Sequence, residues 1–342
     1  MIKKFVRDKK NIKISLIIGS VKDDLKDLNI LLNSLGSNME HITEIICVIS
    51  NVDNKKIIKE TLKIDSVIKD KIKIVSLKGN LFPGAARNYG IKLSKHKYIA
   101  FLDTKTLPNQ NWLRNAKNLL EQNDFVGCLG KTIYKPKSRF DICFIASTFG
   151  LKPITTLPGS LLNIEFIKKV GFFIPHIRAS EDKEWINRAI NFSRNLENTE
   201  TLPLIYKDLQ NRNFYQLMKK WYYYYDQISA EKLSIYNLQR FIYIVYFFLV
   251  ISISILSLFS FFDQSLIFIE VQDFSLNLSI LITLISLYII LRCILLPIKK
   301  GFSLFKNSFF DFLRIVFITI TIDLIKTLIF IKSTIRSYLR QT

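Results

Sequence analysis

Residues 83–112 read PGAARNYGIKLSKHKYIAFLDTKTLPNQNW. Pro83 and Gly84 make a tight turn that opens a helix, with Arg87 and Asn88 near its start. An apolar run follows, Tyr98-Ile99-Ala100-Phe101-Leu102, which reads as a buried strand, and Asp103 stands at its C-terminal edge. In open α/β sheets that edge is where ligands bind. An arginine by a helix N-terminus and a carboxylate at a strand end can hold a nucleotide diphosphate from two sides. Arg87 then takes the anion, and Asp103 takes a ribose hydroxyl or a metal ion. Trp112, after Pro108, anchors the next helix in the core.

The same alternation extends on both sides of this stretch. Ile14–Ile18, Glu44–Ile49 and Ile72–Leu77 read as strands, and Leu25–Leu35 carries apolar residues at helical spacing. Leu113–Leu120 is a further helix, and Asp124–Leu129 begins another strand. Residues 12 to about 205 therefore have the pattern of an α/β domain.

The chain of 342 residues carries 49 Lys and Arg against 28 Asp and Glu, a formal net charge of +21. Residues 1–240 hold 40 basic and 23 acidic residues, and the remainder holds 9 and 5. A basic first part suits nucleic acid, an anionic membrane surface or an anionic substrate. No nucleic-acid-binding motif is present, and the apolar segments below favour the membrane surface. Part of the lysine excess also fits a general Lys/Ile/Asn-rich bias. The four cysteines (Cys47, Cys128, Cys143, Cys293) are scattered without a C-x-x-C, which argues against a zinc site or a disulfide framework and fits a reduced compartment. Met1–Asn11 is basic and polar with no apolar core after it, so no cleaved signal peptide is expected.

Phe241–Phe262 is 22 residues without a charge, enough as a helix to span a hydrocarbon core of about 30 Å. Phe274–Ile298 is a second candidate, with Arg292 near its end. The loop between them carries Asp263, Glu270 and Asp273, whereas Lys232, Arg240, Lys299, Lys300 and Lys306 lie on the outer flanks. The positive-inside rule then puts the loop outside and the N-terminal domain in the cytoplasm, at a bacterial cytoplasmic membrane. The third apolar segment, Phe309–Ile331, gathers Asp311, Arg314, Thr319, Asp323, Lys326 and Thr327 near one helical face. It reads as an amphipathic helix in the cytoplasmic interface, the alternative being a third span whose polar stripe faces other helices.

Pro83–Trp112 resembles the donor-binding core of family 2 glycosyltransferases, whose usual form is an Ala-Arg-Asn helix start followed by Phe-Leu-Asp-x-Asp. The resemblance covers roughly residues 12–240 and rests on four motifs. The first strand ends at Ile18-Gly19-Ser20, where the family makes backbone contacts to the nucleotide base; Gly19 stands where the family usually has proline. Ile49-Ser50-Asn51-Val52-Asp53 stands where an Asp-Asp-Gly-Ser-like run is usual, so the acid that contacts the base is missing near Ser50 and the base is left open. Asp103-Thr104-Lys105 has lysine where the family has an acid that binds Mg²⁺ or Mn²⁺. A protonated lysine cannot ligate a metal. Lys105 either offers its ammonium to the donor diphosphate, or points to solvent while Asp103 and other groups hold the metal.

The fourth motif, Ala179-Ser180-Glu181-Asp182-Lys183-Glu184-Trp185 with Arg188 one turn later, resembles the family's Glu-Asp motif before a helix. Its aspartate acts as general base in inverting transfer, which assigns that role to Asp182 with Glu181 in reserve. Taken alone, such acids are what any helix start favours. Pro158-Gly159-Ser160 resembles the strand that follows the acceptor loop, where backbone amides approach donor or acceptor. Lys219-Lys220-Trp221, followed by Tyr222 to Tyr225, mixes basic and aromatic residues as an interfacial helix does.

The resemblance implies a GT-A-type transferase domain over residues 1–205, with a mixed, mainly parallel sheet. After it come an interfacial segment over 206–240, two transmembrane helices within 241–298, and the amphipathic helix and basic tail over 299–342. The implied activity moves a sugar from a nucleotide-diphosphate donor to a membrane-associated acceptor, a polyprenyl-linked glycan. A polyprenyl-phosphate glycosyltransferase and a catalytically degenerate membrane scaffold are the alternatives. The missing acids near Ser50 and at Lys105 motivate the scaffold, and the intact Glu181-Asp182 argues against it.

Overall fold

The computed structural model describes residues 12–52, 55–122, 125–193, 196–198, 203–207, 213–230, 233–262, 279–280, 282–303 and 308–339. The loop expected outside the membrane between the apolar segments falls outside these residues, as do Met1–Asn11 and Asp53. The chain divides into two compact units, Met1–Lys135 with Pro153–Gln210, and Pro136–Lys152 with Asn211–Thr342.

The first unit is built on a nine-stranded sheet. Strands β1 (Ile14–Val21), β2 (Glu44–Ser50), β3 (Ile72–Ser76) and β4 (Tyr98–Asp103) pair in parallel in the order β3-β2-β1-β4. Beyond β4 the sheet changes character. With β5 (Thr106–Leu107), β6 (Gly127–Tyr134), β7 (Ile154–Asn163), β8 (Leu196–Asn198) and β9 (Leu204–Tyr206) the order continues β7-β6-β9-β5, with β8 beside β6. β7 is antiparallel to both β4 and β6, β6 is parallel to β8 and β9, and β9 is antiparallel to β5. The sheet is mixed, with its parallel half at the N-terminal end.

Period-two alternation with both faces covered explains why β1 and β4 are mainly apolar. Ile14, Leu16 and Ile18 of β1, with Ala100 and Leu102 of β4, pack on one side against Leu25, Leu28, Leu31 and Leu32 of α1 (Leu25–Asn33). Ile17, Ile99 and Phe101 point the other way, to Ile91 of α4 (Pro83–Leu93) and to Phe166, Phe173 and Trp185. Strands covered on both faces read as continuous apolar runs. α2 (Lys55–Thr61) and α3 (Ser66–Lys69) connect β2 to β3, and α5 (Trp112–Gln122) precedes β6. Trp112 is buried as expected, and its indole N–H donates to the Gly159 carbonyl at 2.6 Å.

The second unit is helical: α6 (Arg139–Ser147), α9 (Phe214–Ala230), α10 (Asn237–Phe262), α11 (Ile282–Lys299, with a π-helical turn at Ile289–Leu295) and α12 (Phe309–Leu339). α7 (Ile164–Val170) and α8 (Glu181–Phe192) belong to the first unit. Among the described residues, α11 is the one helix long and apolar enough to cross a membrane. The polarity of α12 is turned inside out. Asp311, Thr319, Asp323, Lys326 and Thr327 are buried, whereas Phe309, Phe317, Leu324, Leu328 and Ile335 are more than half exposed. Asp323 accepts from Tyr243 Oη at 2.9 Å, Tyr288 Oη at 3.1 Å, Arg292 Nε and Nη2 at 2.8 Å and Lys326 Nζ at 3.2 Å, joining α10, α11 and α12. α12 continues past the expected 309–331 because its last turns pack on α9, where Lys332 pairs with Asp226 at 3.5 Å.

Two glycines set how closely the site-bearing strands approach. β6 and β7 cross at a bulge between Cys128 and Gly130, where a Cβ on Gly130 would sit 2.1 Å from the Pro158 carbonyl oxygen. A Cβ on Gly90 of α4 would sit 2.5 Å from Ile17 Cγ2, a side-chain rather than a backbone atom. Gly130→Ala should therefore lower stability by about 1–3 kcal/mol and more than Gly90→Ala does. Thermal unfolding of the two variants checks the order.

Candidate active site

Arg87 is the centre of the candidate site. It lies one turn into α4, a helix that begins with Pro83 at its first position, where no N–H is needed. Its side chain is 6 % exposed, and the guanidinium donates from Nη2 to Asp103 Oδ1 at 2.7 Å and from Nη1 to Glu181 Oε1 at 2.5 Å. One cation thus joins the end of β4, the start of α4 and the start of α8. Glycine at position 84 makes room for this: a Cβ there would lie 2.4 Å from the Ile174 carbonyl oxygen and 3.3 Å from Glu181 Cγ. The Phe173 ring closes the arrangement, 5.8 Å below the guanidinium and 5.1 Å from the Trp185 ring.

The backbone entering α8 is strained. Ser180 is buried and takes a left-handed conformation, φ 66° and ψ 11°. A non-glycine residue there costs about 1–3 kcal/mol and persists when its surroundings enforce it. The strained turn delivers Glu181 into the core on Arg87 and leaves Asp182 partly exposed, its Oδ1 accepting from the Lys183 N–H at 2.7 Å. Burial raises the Asp182 pKa above the ordinary aspartate value, opposed by Arg87 and helped by Asp103. Burial likewise lifts Glu181 to about 7 against the pull of Arg87. The main cause is shared: burial disfavours the charged form of both acids, a neighbouring carboxylate adds to it, and Arg87 opposes it.

The structure distributes the other residues singled out by sequence into distinct places. Asn88 is occupied twice by backbone: its Nδ2 donates to the Phe173 carbonyl at 2.7 Å and its Oδ1 accepts from the Phe173 N–H at 3.0 Å. Arg188 pins the same loop, donating to Glu184 and to the carbonyls of Val170 and Phe172. Ser160 is buried in the β6–β7 crossing, where its Oγ accepts from the Gly130 N–H at 2.9 Å and donates to the Thr156 carbonyl; Gly159 (φ 89°) is beside it. Gly19 faces Asp103 across the β1–β4 register, and Thr104 Oγ1 donates to its carbonyl at 2.8 Å. Ser20 and Ser50 are buried at the C-terminal edges of β1 and β2; Ser50 Oγ has no hydrogen-bond partner among the described residues. Asn51 has φ 59°, the left-handed turn that a glycine usually provides. Lys105 reaches Asp24 at 3.0 Å.

Sequence reasoning passed over Asp24, Phe173, Tyr134 and Tyr206. Phe173 and the tyrosines sit in unremarkable apolar segments, and nothing in their spacing sets them apart. Asp24 lies in a polar run at the end of β1, one of the strand ends where ligands are expected.

Residues 15–180 match the model of glycosyl transferase family 2. The chain is a glycosyltransferase. It is 24 % identical over 222 residues to an uncharacterized glycosyltransferase of Methanocaldococcus jannaschii, a match covering 60 % of this chain and 74 % of that one. It is 27 % identical over 114 residues to a chondroitin synthase of Escherichia coli, covering 32 % of this chain and 16 % of that one, so it matches only a small part of the larger enzyme. Among solved structures it is similar to TarS residues 1–349 of S. aureus in complex with UDP-GlcNAc, with 18 % identity, a TM-score of 0.46, and coverage of 66 % of this chain and 67 % of that one. The transferase has a GT-A-like α/β fold with a mixed sheet.

The divalent cation implied by the resemblance does not fit the residues this transferase presents. Asp103 gives Oδ1 to Arg87, lysine stands at the third motif position and is tied to Asp24, and no group of three or more His, Cys, Asp or Glu gathers among the described residues. Arg87 is better suited to positioning acids than to meeting a phosphate. Removing it leaves Glu181 and Asp103 without their partner, and breaking a buried pair on one side costs about 3–5 kcal/mol. Arg87→Ala should lower the unfolding temperature sharply. Arg87→Lys should fail to restore it, because an ammonium cannot span two carboxylates as a planar fork does. Thermal melts of the two variants against wild type test both statements.

Proposed function

We propose that this chain transfers a sugar from a nucleotide-diphosphate donor to an acceptor hydroxyl with inversion at the anomeric carbon, and that Asp182 is the general base. The observation that carries the reading is the Asp103–Arg87–Glu181 clamp, which fixes the start of α8 and holds Asp182 at the ligand edge of the sheet. The acceptor hydroxyl gives its proton to Asp182 as its oxygen attacks the anomeric carbon. The diphosphate leaves from the opposite face in the same displacement, so the configuration inverts. Asp103 serves the donor's ribose, and Gly19, Ser20 and Ser50 line the base side. Lys105 exchanges Asp24 for the leaving diphosphate, whose growing charge its ammonium offsets.

Membrane association is part of the same reading. Buried charge under an exposed apolar surface in α12, the apolar helix α11, and the basic, aromatic α9 support a chain seated at a membrane. The charge bias of the flanks favours a cytoplasmic catalytic unit. An acceptor presented at the membrane, a lipid-linked glycan, gives the anchor its use.

Asp182→Asn should lower transfer by about 10²- to 10⁴-fold with donor binding unchanged. Transfer within about twofold of wild type would remove Asp182 from the mechanism. Because the base must be ionised and its pKa is raised above 3.8, the acid limb of kcat/KM in the wild-type enzyme should lie above that value; a limb at or below it contradicts the assignment.

The role given to Lys105 is separable. If its ammonium offsets the leaving group, a chelator leaves most activity in place and Lys105→Ala loses about 10²-fold or more. Abolition by the chelator together with a tolerated Lys105→Ala would instead place a cation on Asp103.

A further inference from the structure

Tyr134 closes β6 and Tyr206 closes β9, and the two are partners in the parallel register of these strands. Paired residues project to the same face, and the two rings meet at 5.1 Å with an angle of 58° between their planes. On its other side Tyr206 is the register partner of Thr106, and the Lys207 N–H donates to the Lys105 carbonyl at 2.9 Å. The tyrosine pair therefore lies directly beside the Asp103-Thr104-Lys105 turn. The sheet order puts β6 and β9 on the side of β4 away from β1 and β2, so the pair is opposite the edges where Gly19 and Ser50 stand. Both residues are partly exposed. The Tyr134 phenol is held above its ordinary pKa, first by burial and then by the charges of Asp182 and Asp103, which places it within electrostatic reach of both carboxylates.

We propose that Tyr134 and Tyr206 form a stacking subsite for a pyranose ring of the acceptor, so that the group receiving the sugar is itself a carbohydrate. A pyranose presents C–H bonds on its faces and hydroxyls around its rim. The faces pack on aromatic rings, and the rim hydroxyls donate to carboxylates such as Asp182 and Asp103. A bare lipid phosphate would meet these same carboxylates with like charge. The proposal rests on the transferase reading and narrows its acceptor.

The test uses the full-length protein in detergent with UDP or GDP present. Binding of methyl β-glucopyranoside, methyl α-mannopyranoside and methyl N-acetyl-β-glucosaminide is followed by saturation-transfer NMR, with a polyprenyl phosphate as the comparison ligand. At least one glycoside should bind, with saturation strongest at its ring C–H protons. Tyr134→Leu and Tyr206→Leu should each weaken it about tenfold, whereas Tyr134→Phe and Tyr206→Phe stay within about twofold. Nucleotide titration of every variant reports an intact fold and donor site. Leucine variants that bind nucleotide and glycoside like wild type overturn the subsite, as does a wild type that binds nucleotide and polyprenyl phosphate but no glycoside. A wild type that binds neither nucleotide nor glycoside overturns the transferase reading with it.

Discussion

One buried guanidinium sets the geometry of the catalytic unit. Arg87 reaches Asp103 at the end of a strand and Glu181 at the start of a helix, 94 residues further on than itself. Desolvating an arginine is unfavourable unless acceptors replace water, and these two carboxylates do so within a pocket floored by Phe173. The arrangement constrains its neighbours in turn. Gly84 has no room for a side chain, Asn88 and Arg188 hold the backbone of residues 170–173 in place, and Ser180 is kept in a left-handed turn. Glu181, the residue that follows this turn, is held by its ion pair with Arg87. Asp182, the next residue after the clamp, inherits a fixed position, and burial raises its proton affinity against the pull of Arg87.

The change of strand direction at β4 divides the sheet. On one side lie four parallel strands whose C-terminal ends face the same edge; on the other, β7 runs antiparallel and brings β6, β9 and β5 into line. Asp103 stands at the seam. This explains how a two-residue strand such as β5 is worth forming: it carries the chain from the Asp103 turn to Tyr206, tying the two halves beside the candidate site. Lys105 brings a positive side chain to that seam, and its backbone carbonyl accepts from the Lys207 N–H.

The helical unit obeys the opposite rule of polarity. In the catalytic unit apolar strands are enclosed and charges face outward, except where they are paired. In α12 the acids and a lysine are enclosed, and phenylalanines and leucines face outward. A net of donors around Asp323 makes this tenable, since each buried charge has a partner on another helix or one turn away.

Much of the fold was legible in the sequence, and the reason is local. β1, β2 and β4 are mainly apolar runs bounded by polar residues, and α4 opens with Pro-Gly, so strand and helix follow from spacing alone. Arg87, Asp103 and Glu181-Asp182 were legible as charged residues at element ends. The division of labour among them was not. Whether Arg87 faces a phosphate or two carboxylates depends on residues 94 positions apart in sequence meeting in space, which no local pattern encodes. Asn88, Ser160 and Arg188 have the composition of binding residues, but tertiary contacts consume their hydrogen bonds on backbone. Tyr134 and Tyr206 gain their place from strand register, and Asp24 gains Lys105 from the way two strand ends converge. The sequence by itself determined which segments are buried and where charge sits along the chain. Only the tertiary structure decided which charges neutralise each other, because pairing is fixed by distances between elements rather than along them.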